Sequence, residues 1–220
     1  MRILRMGRGW LCALLLAAAA ASASGAAPAR VVLPTGVAPV EYRLDFEPTT
    51  DAENFSGIVE IDVQVARPTR RFSLNSAELT ISEARMVDLG RDAKIVPDAA
   101  AETVAFEFGA SLPAGQHTLR IVYRGHVNES TSGLFRVRYD GPDGPTQALF
   151  TQFEPVDARR FMPCWDEPSI KAVFRLGATI PAGLTPVSNM PVASTEDRPE
   201  GRRHVQFAPT PPIPTFDCQQ

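Results

Sequence analysis

Val40-Glu41-Tyr42-Arg43-Leu44-Asp45-Phe46 alternates apolar with charged residues, and Val59-Glu60-Ile61-Asp62-Val63-Gln64-Val65 repeats the pattern just after Gly57. Successive side chains of an extended chain point to opposite faces, so each segment carries one apolar and one hydrophilic face. Working outward, shorter strand-like runs fall at 72–74, 79–81, 104–106, 119–123, 134–138, 149–153, 173–180 and 205–207. Turn clusters separate them: Glu47-Pro48-Thr49-Thr50, Leu112-Pro113-Ala114-Gly115, Asp140-Gly141-Pro142-Asp143-Gly144-Pro145 and Pro181-Ala182-Gly183. No later stretch keeps a 3.6-residue apolar period for three turns. The expected class is all-β, a sandwich or a large twisted antiparallel sheet.

Residues 1–26 read differently. Arg2, Arg5 and Arg8 precede an apolar run from Trp10 to Ala21, and the small residues of Ala21-Ser22-Ala23 or Ser24-Gly25-Ala26 offer cleavage sites. This is the pattern of a secretory signal peptide, and its Ala, Ser and Gly content makes a poor membrane anchor. The expected division is a signal peptide at 1–26 and one β domain at 27–220. The expected location is secreted or periplasmic, with no membrane span after the leader is removed.

The net charge is −3, with 44% hydrophobic and 21% charged residues, the balance of a globular chain with a sizeable core. A mildly acidic surface argues against a nucleic-acid partner. Outside the leader only Cys164 and Cys218 remain, too few for a disulfide framework and not at metal-ligand spacing. His117, His126 and His204 are scattered, and the chain has no H-E-x-x-H, G-x-S-x-G or phosphate-binding glycine loop. No catalytic residue and no metal site is therefore expected within this chain.

One stretch stands apart: Thr151-Gln152-Phe153-Glu154-Pro155-Val156-Asp157-Ala158-Arg159-Arg160-Phe161-Met162-Pro163-Cys164-Trp165-Asp166-Glu167-Pro168. It mixes charges, bulky aromatics and prolines. The structural reading is an ordered loop in which Arg159 or Arg160 pairs with Asp157, Asp166 or Glu167 while Phe161 and Trp165 plug the core. Gln152 and Glu154, two apart at a strand end, should face one side with Phe153 on the other, Pro155 favouring extended geometry before it. A carboxylate and an amide side by side can accept hydrogen bonds from a cation such as a peptide's amino terminus. As solvated rim residues they would do nothing of the kind.

The same block resembles the signature closing the amino-terminal domain of the aminopeptidase N-like zinc metallopeptidases, T-Q-x-E-x-x-x-A-R-R-x-F-P-C-x-D-E-P. It departs only at Phe161-Met162, where that family tends to have a small residue and then Phe. The resemblance continues through Leu33-Pro34, Tyr42-Arg43-Leu44, Phe55-Ser56-Gly57, Gly133-Leu134-Phe135, Ser188-Asn189-Met190-Pro191 and Thr210-Pro211. It implies a large saddle-shaped β domain forming one wall of an active-site cavity, with Gln152 and Glu154 anchoring the substrate's amino terminus. Zinc would be held in a following catalytic domain, which this chain lacks. The ending Thr215-Phe216-Asp217-Cys218-Gln219-Gln220 replaces the apolar strand that family members tend to continue into. The domain is thus expected to be incomplete at its C-terminal end and inactive alone, a substrate-recognition part of a secreted enzyme that removes N-terminal residues from peptides. The alternative expectation is a non-catalytic extracytoplasmic β-sandwich that binds a peptide or protein.

Overall fold

A computed structural model describes residues 32–48, 53–142 and 144–218. The segment read as a signal peptide lies outside them. The described residues form β1 (Val37–Glu47), β2 (Asn54–Val65), β3 (Thr69–Asn75), β4 (Thr80–Met86), β5 (Arg91–Asp92), β6 (Lys94–Asp98) and β7 (Thr103–Leu112). There follow β8 (Gly115–His126), β9 (Gly133–Gly141), β10 (Gly144–Gln152), β11 (Val173–Pro181), β12 (Val192–Arg198) and β13 (Arg202–Phe207), with short 3-10 turns at Ala158–Arg160 and Thr215–Asp217. The all-β class holds. An eight-stranded sheet runs β12-β13-β11-β1-β2-β8-β4-β5, a three-stranded sheet runs β3-β7-β6, and β9 and β10 form a separate hairpin.

The alternation of β2 is realised along its length: Phe55, Val59, Ile61, Val63 and Val65 are buried. Leu119 and Ile121 of β8, Leu74 of β3, and Phe106 and Leu112 of β7 join them in one hydrophobic cluster that ties the sheets together. At about 1.5–3 kcal/mol for each large aliphatic or aromatic side chain, this burial is the main source of stability.

The opposite face of the large sheet is a network of ion pairs. Arg43 forks onto Asp62 at 2.7 and 2.8 Å and reaches Glu60 and Glu41, while Arg175 returns to Glu41 at 2.9 Å. Thr118 Oγ1 donates to Asp62 at 2.7 Å, and His204 meets Asp45 at 2.7 Å. Exposed pairs of this kind each contribute at most about 1 kcal/mol, so their chief effect is to keep this face in water.

Three expectations need correction. Val40 does not share the buried face of Tyr42, Leu44 and Phe46; it is 44% exposed. A β-bulge between Pro39 and Glu41 inserts one residue and reverses the phase of everything before it. The large sheet is also not wholly antiparallel, because β1 pairs with β11 in parallel from Glu41–Val173 to Phe46–Ala178. All the chain between those two strands serves as the crossover that parallel pairing needs. Finally, β5, β6 and β12 are strands that the sequence pattern does not announce. Pro97 interrupts β6, and β12 is exposed at all seven positions, so neither shows the alternation that a half-buried strand shows.

Close packing restricts the residue at position 57 to glycine. Gly57 faces Tyr123 across the β2–β8 ladder, and a Cβ at residue 57 would lie 2.5 Å from the tyrosine ring. That ring is 1% exposed and has no free side to move toward. Gly57→Ala is expected to destabilise the protein by about 1–3 kcal/mol, read as a lower denaturant midpoint at unchanged slope.

Candidate substrate-anchoring site

Strand β10 ends at Gln152, which pairs with Gly133 of β9. Phe153 then turns fully into the core, where Phe161 lies 5.3 Å from it between ring centroids. Phe46 and Phe55 close on the same Phe161 at 5.1 and 5.5 Å, so the aromatic cluster gives Phe153 a fixed seat. With Phe153 inward, Gln152 is left half-buried and Glu154 exposed. Glu154 sits not on the strand but in the turn after it, which the Asp157 N–H closes by donating to the Phe153 carbonyl at 2.8 Å. The Glu154–Pro155 peptide is cis.

The rest of the block fastens this turn to the core. Arg159 Nε donates to Asp166 Oδ2 at 3.0 Å, and Arg160 Nε to Asp157 Oδ1 at 2.9 Å, matching two of the pairings open to the sequence. Trp165 is 1% exposed and stacks on Phe72 at 6.2 Å. Its backbone N–H donates to the Tyr42 hydroxyl at 3.2 Å. Asp166 is 3% exposed, and its Oδ1 also accepts from Thr215 Oγ1 at 3.0 Å. Burial pushes the Asp166 carboxyl above the usual carboxylate range despite the Arg159 guanidinium and the Thr215 hydroxyl, which act the other way.

Sequence reasoning did not identify Asn75, Glu78, Glu102 or Thr215 as partners of this block. Asn75 exchanges backbone hydrogen bonds with Cys164 at 2.8 and 3.1 Å, and its Oδ1 accepts from the Asp166 N–H. Glu102 accepts from both Arg159 and Arg160, at 3.2 and 3.0 Å. These residues are distant in the chain, and no local pattern marks them.

Cys164 and Cys218 are free and buried, and burial pushes the Cys218 thiol up to about 12. An apolar cleft of about 420 Å³ runs beside the β9–β10 hairpin, lined among others by Leu134, Leu149, Phe150, Ile180 and Phe207. Neither Gln152 nor Glu154 lines it.

Three carboxylates elsewhere are held below their ordinary value: exposed Glu129 by the Arg138 and Arg136 guanidiniums, and the partly buried Asp62 and Asp88. The Arg43 hydrogen bonds hold Asp62 below its ordinary value. Burial acts to raise Asp88, but the hydrogen bonds from His117 and the Thr118 amide outweigh it and leave Asp88 depressed. A carboxylate depressed in the folded state stabilises it above the unfolded value, near pH ~3.9, and that stability is lost as pH falls through the folded value. Asp166, being raised, has the opposite sign. Urea midpoints are therefore expected to stay level at neutral pH and to fall below about pH 4. A midpoint that rises steadily into acid would show that Asp166 outweighs the Asp62 and Asp88 pairs.

The fold and block together define a β domain that presents Gln152 at a strand end and Glu154 in the turn that follows it. Residues 38–216 match the family model described as the peptidase M1 N-terminal domain, and the chain belongs to that family. The aminopeptidase N of Acetobacter pasteurianus is 41% identical over 187 residues, which cover 84% of this chain and 52% of that protein. Aminopeptidase M1-A of Oryza sativa subsp. japonica is 36% identical over 192 residues, 84% of this chain and 22% of its own length. Aminopeptidase 2 of Candida albicans is 36% identical over 197 residues, 89% of this chain and 21% of its own. The chain thus spans about half the length of the first relative and about a fifth of the others.

M1 enzymes are zinc-dependent in general, but the described residues do not fit that metal. No three His, Cys, Asp or Glu side chains among them come together as a ligand set. His117 is committed to Asp88 at 2.6 Å and His204 to Asp45, on separate strands. Among the described residues, no helix is long and apolar enough to cross a membrane.

Proposed function

We propose that this chain is the substrate-recognition domain of an exported zinc aminopeptidase, with Gln152 and Glu154 holding the free amino terminus of a peptide. The observation that carries the reading is the placement of Phe153, fully buried between a half-buried Gln152 and an exposed Glu154. A strand end anchored in this way offers a carboxylate and an amide oxygen to solvent from a rigid base. The ammonium group of a peptide has a reference pKa of ~7.7–8.0 and is largely charged at neutral pH, so it supplies the complementary donor.

Family membership and the named aminopeptidase relatives support the same reading. Bond cleavage belongs to a segment outside this chain, and the leader at 1–26 would direct export. The domain's own contribution is to bind and orient, and to select peptides with a free amino end.

The test is hydrolysis by the enzyme that carries this domain, comparing a free peptide with its N-acetylated counterpart. The free peptide should be strongly preferred, and Glu154→Gln should erode the preference. Equal handling of both peptides by the parent enzyme would leave no amine anchor to assign.

A further inference from the structure

We infer that Arg160 is the positioning residue of the anchoring site, an inference that rests on the roles proposed for Gln152 and Glu154. Gly133, the ladder partner of Gln152, has φ +61°, and a Cβ built there would lie 2.9 Å from Arg160 Cβ. The stem of Arg160 therefore lies against the strand position opposite Gln152. Its guanidinium holds the other anchor, because Nε donates to Asp157 Oδ1 at 2.9 Å. Asp157 is the residue whose N–H closes the turn bearing Glu154. One side chain thus braces both ends of the anchor.

Arg160 in turn is fixed from the far side. Nη1 meets Glu78 Oε1 at 2.5 Å and Nη2 meets Glu102 Oε1 at 3.0 Å. Glu78 and Glu102 have φ of 58° and 49°, a left-handed conformation uncommon for L-residues. The Ser76 N–H donates to the Glu102 carbonyl at 2.9 Å, joining the two acidic loops to each other. The three carboxylates also offset a positive charge that would otherwise repel an incoming ammonium group. A planar fork with five donors serves three carboxylates at once, whereas a lysine ammonium on a flexible stem does not.

Arg160 acts on Gln152 through Gly133 and on Glu154 through Asp157. Arg159 shares Glu102 with it, but its other carboxylate is the buried Asp166 rather than Asp157 of the turn.

The test uses the enzyme that carries this domain, with Arg160→Met, Arg160→Lys, Asp157→Asn and, as reference, Glu154→Gln. Steady-state kinetics are measured on an aminoacyl p-nitroanilide and on its N-acetylated form. Arg160→Met is expected to raise KM for the free amine about tenfold at little changed kcat, less than the ~10²-fold that a 1 Å misplacement can produce. Arg160→Lys and Asp157→Asn should show smaller rises, and discrimination against the acetylated compound should fall in the same order. A merely structural role would lower active enzyme without changing KM or discrimination. If Arg160→Met keeps the parent KM while Glu154→Gln loses it, the positioning role is wrong and the anchoring role stands. If Glu154→Gln itself keeps the parent KM and discrimination, the anchoring reading fails, and this inference with it. Should Arg160→Met not fold, Asp157→Asn decides, since it preserves shape and removes only the charge; a parent-like KM there overturns the inference.

Discussion

Arg159→Met is expected to lower the thermal unfolding midpoint by roughly 6–20 °C. The Arg159 side chain is 12% exposed and that of Asp166 2%, so removing the guanidinium strands a buried carboxylate. Breaking such a pair from one side costs about 3–5 kcal/mol, and at this chain length each kcal/mol moves the midpoint by about 2–4 °C. The loss extends beyond the pair, because Asp166 also gathers Thr215 and the Asn75 side chain, and through them β3 and the C-terminal turn. A pH signature accompanies it. Burial already raises the Asp166 carboxyl, and without Arg159 the raise grows, so the variant should regain stability relative to the parent as pH falls and the stranded group takes up a proton. Calorimetry at neutral and mildly acidic pH measures both effects. A variant that melts with the parent at neutral pH would show that the pair contributes nothing net.

Glu154→Gln, in the enzyme that carries this domain, is expected to reduce kcat/KM on free peptides roughly tenfold to a hundredfold. A charge-assisted hydrogen bond is worth ~1.5–3 kcal/mol, and each ~1.4 kcal/mol is a factor of ten. The amide keeps the shape and an acceptor oxygen, so the loss reports charge rather than packing. Glu154 is exposed and takes no part in the core, and the variant should melt with the parent. Gln152→Ala should cost less, since an amide oxygen carries only a partial charge. Rates on free peptides equal to the parent's in Glu154→Gln would return both residues to a solvated rim.

The two predictions concern residues five apart in one block, yet they fall on opposite sides of the line between folding and recognition. The block's composition pointed to both roles without dividing them. Arg159 and Arg160 are adjacent and chemically identical, and their neighbours in sequence offer Asp157, Asp166 and Glu167 to either. Which guanidinium meets which carboxylate is set by the 3-10 turn at Ala158–Arg160, which sends one side chain toward Asp166 and the other toward Gly133. Glu102 and Glu78 enter from loops far away in the chain, and their distance hid them from any local reading.

Legibility in the amino-acid sequence alone rests on one physical fact: a half-buried strand must alternate apolar and polar side chains. On that ground the all-β class, the long strands β1, β2 and β8, and the core positions Val59, Ile61, Val63 and Val65 could all be read. Residue types at a strand end singled out Gln152 and Glu154 but fitted a solvated rim equally, and it is the resemblance of the block to the aminopeptidase N-like signature that implies their anchoring role. The tertiary structure decided what alternation cannot encode. Strand β12 packs on neither face, the bulge at Pro39/Glu41 turns Val40 outward, and β1 finds β11 in parallel across most of the chain. It also decided the seat of Phe153 among Phe46, Phe55 and Phe161. These outcomes depend on contacts between residues remote in sequence, whose energies enter only once the sheets have closed on a common core.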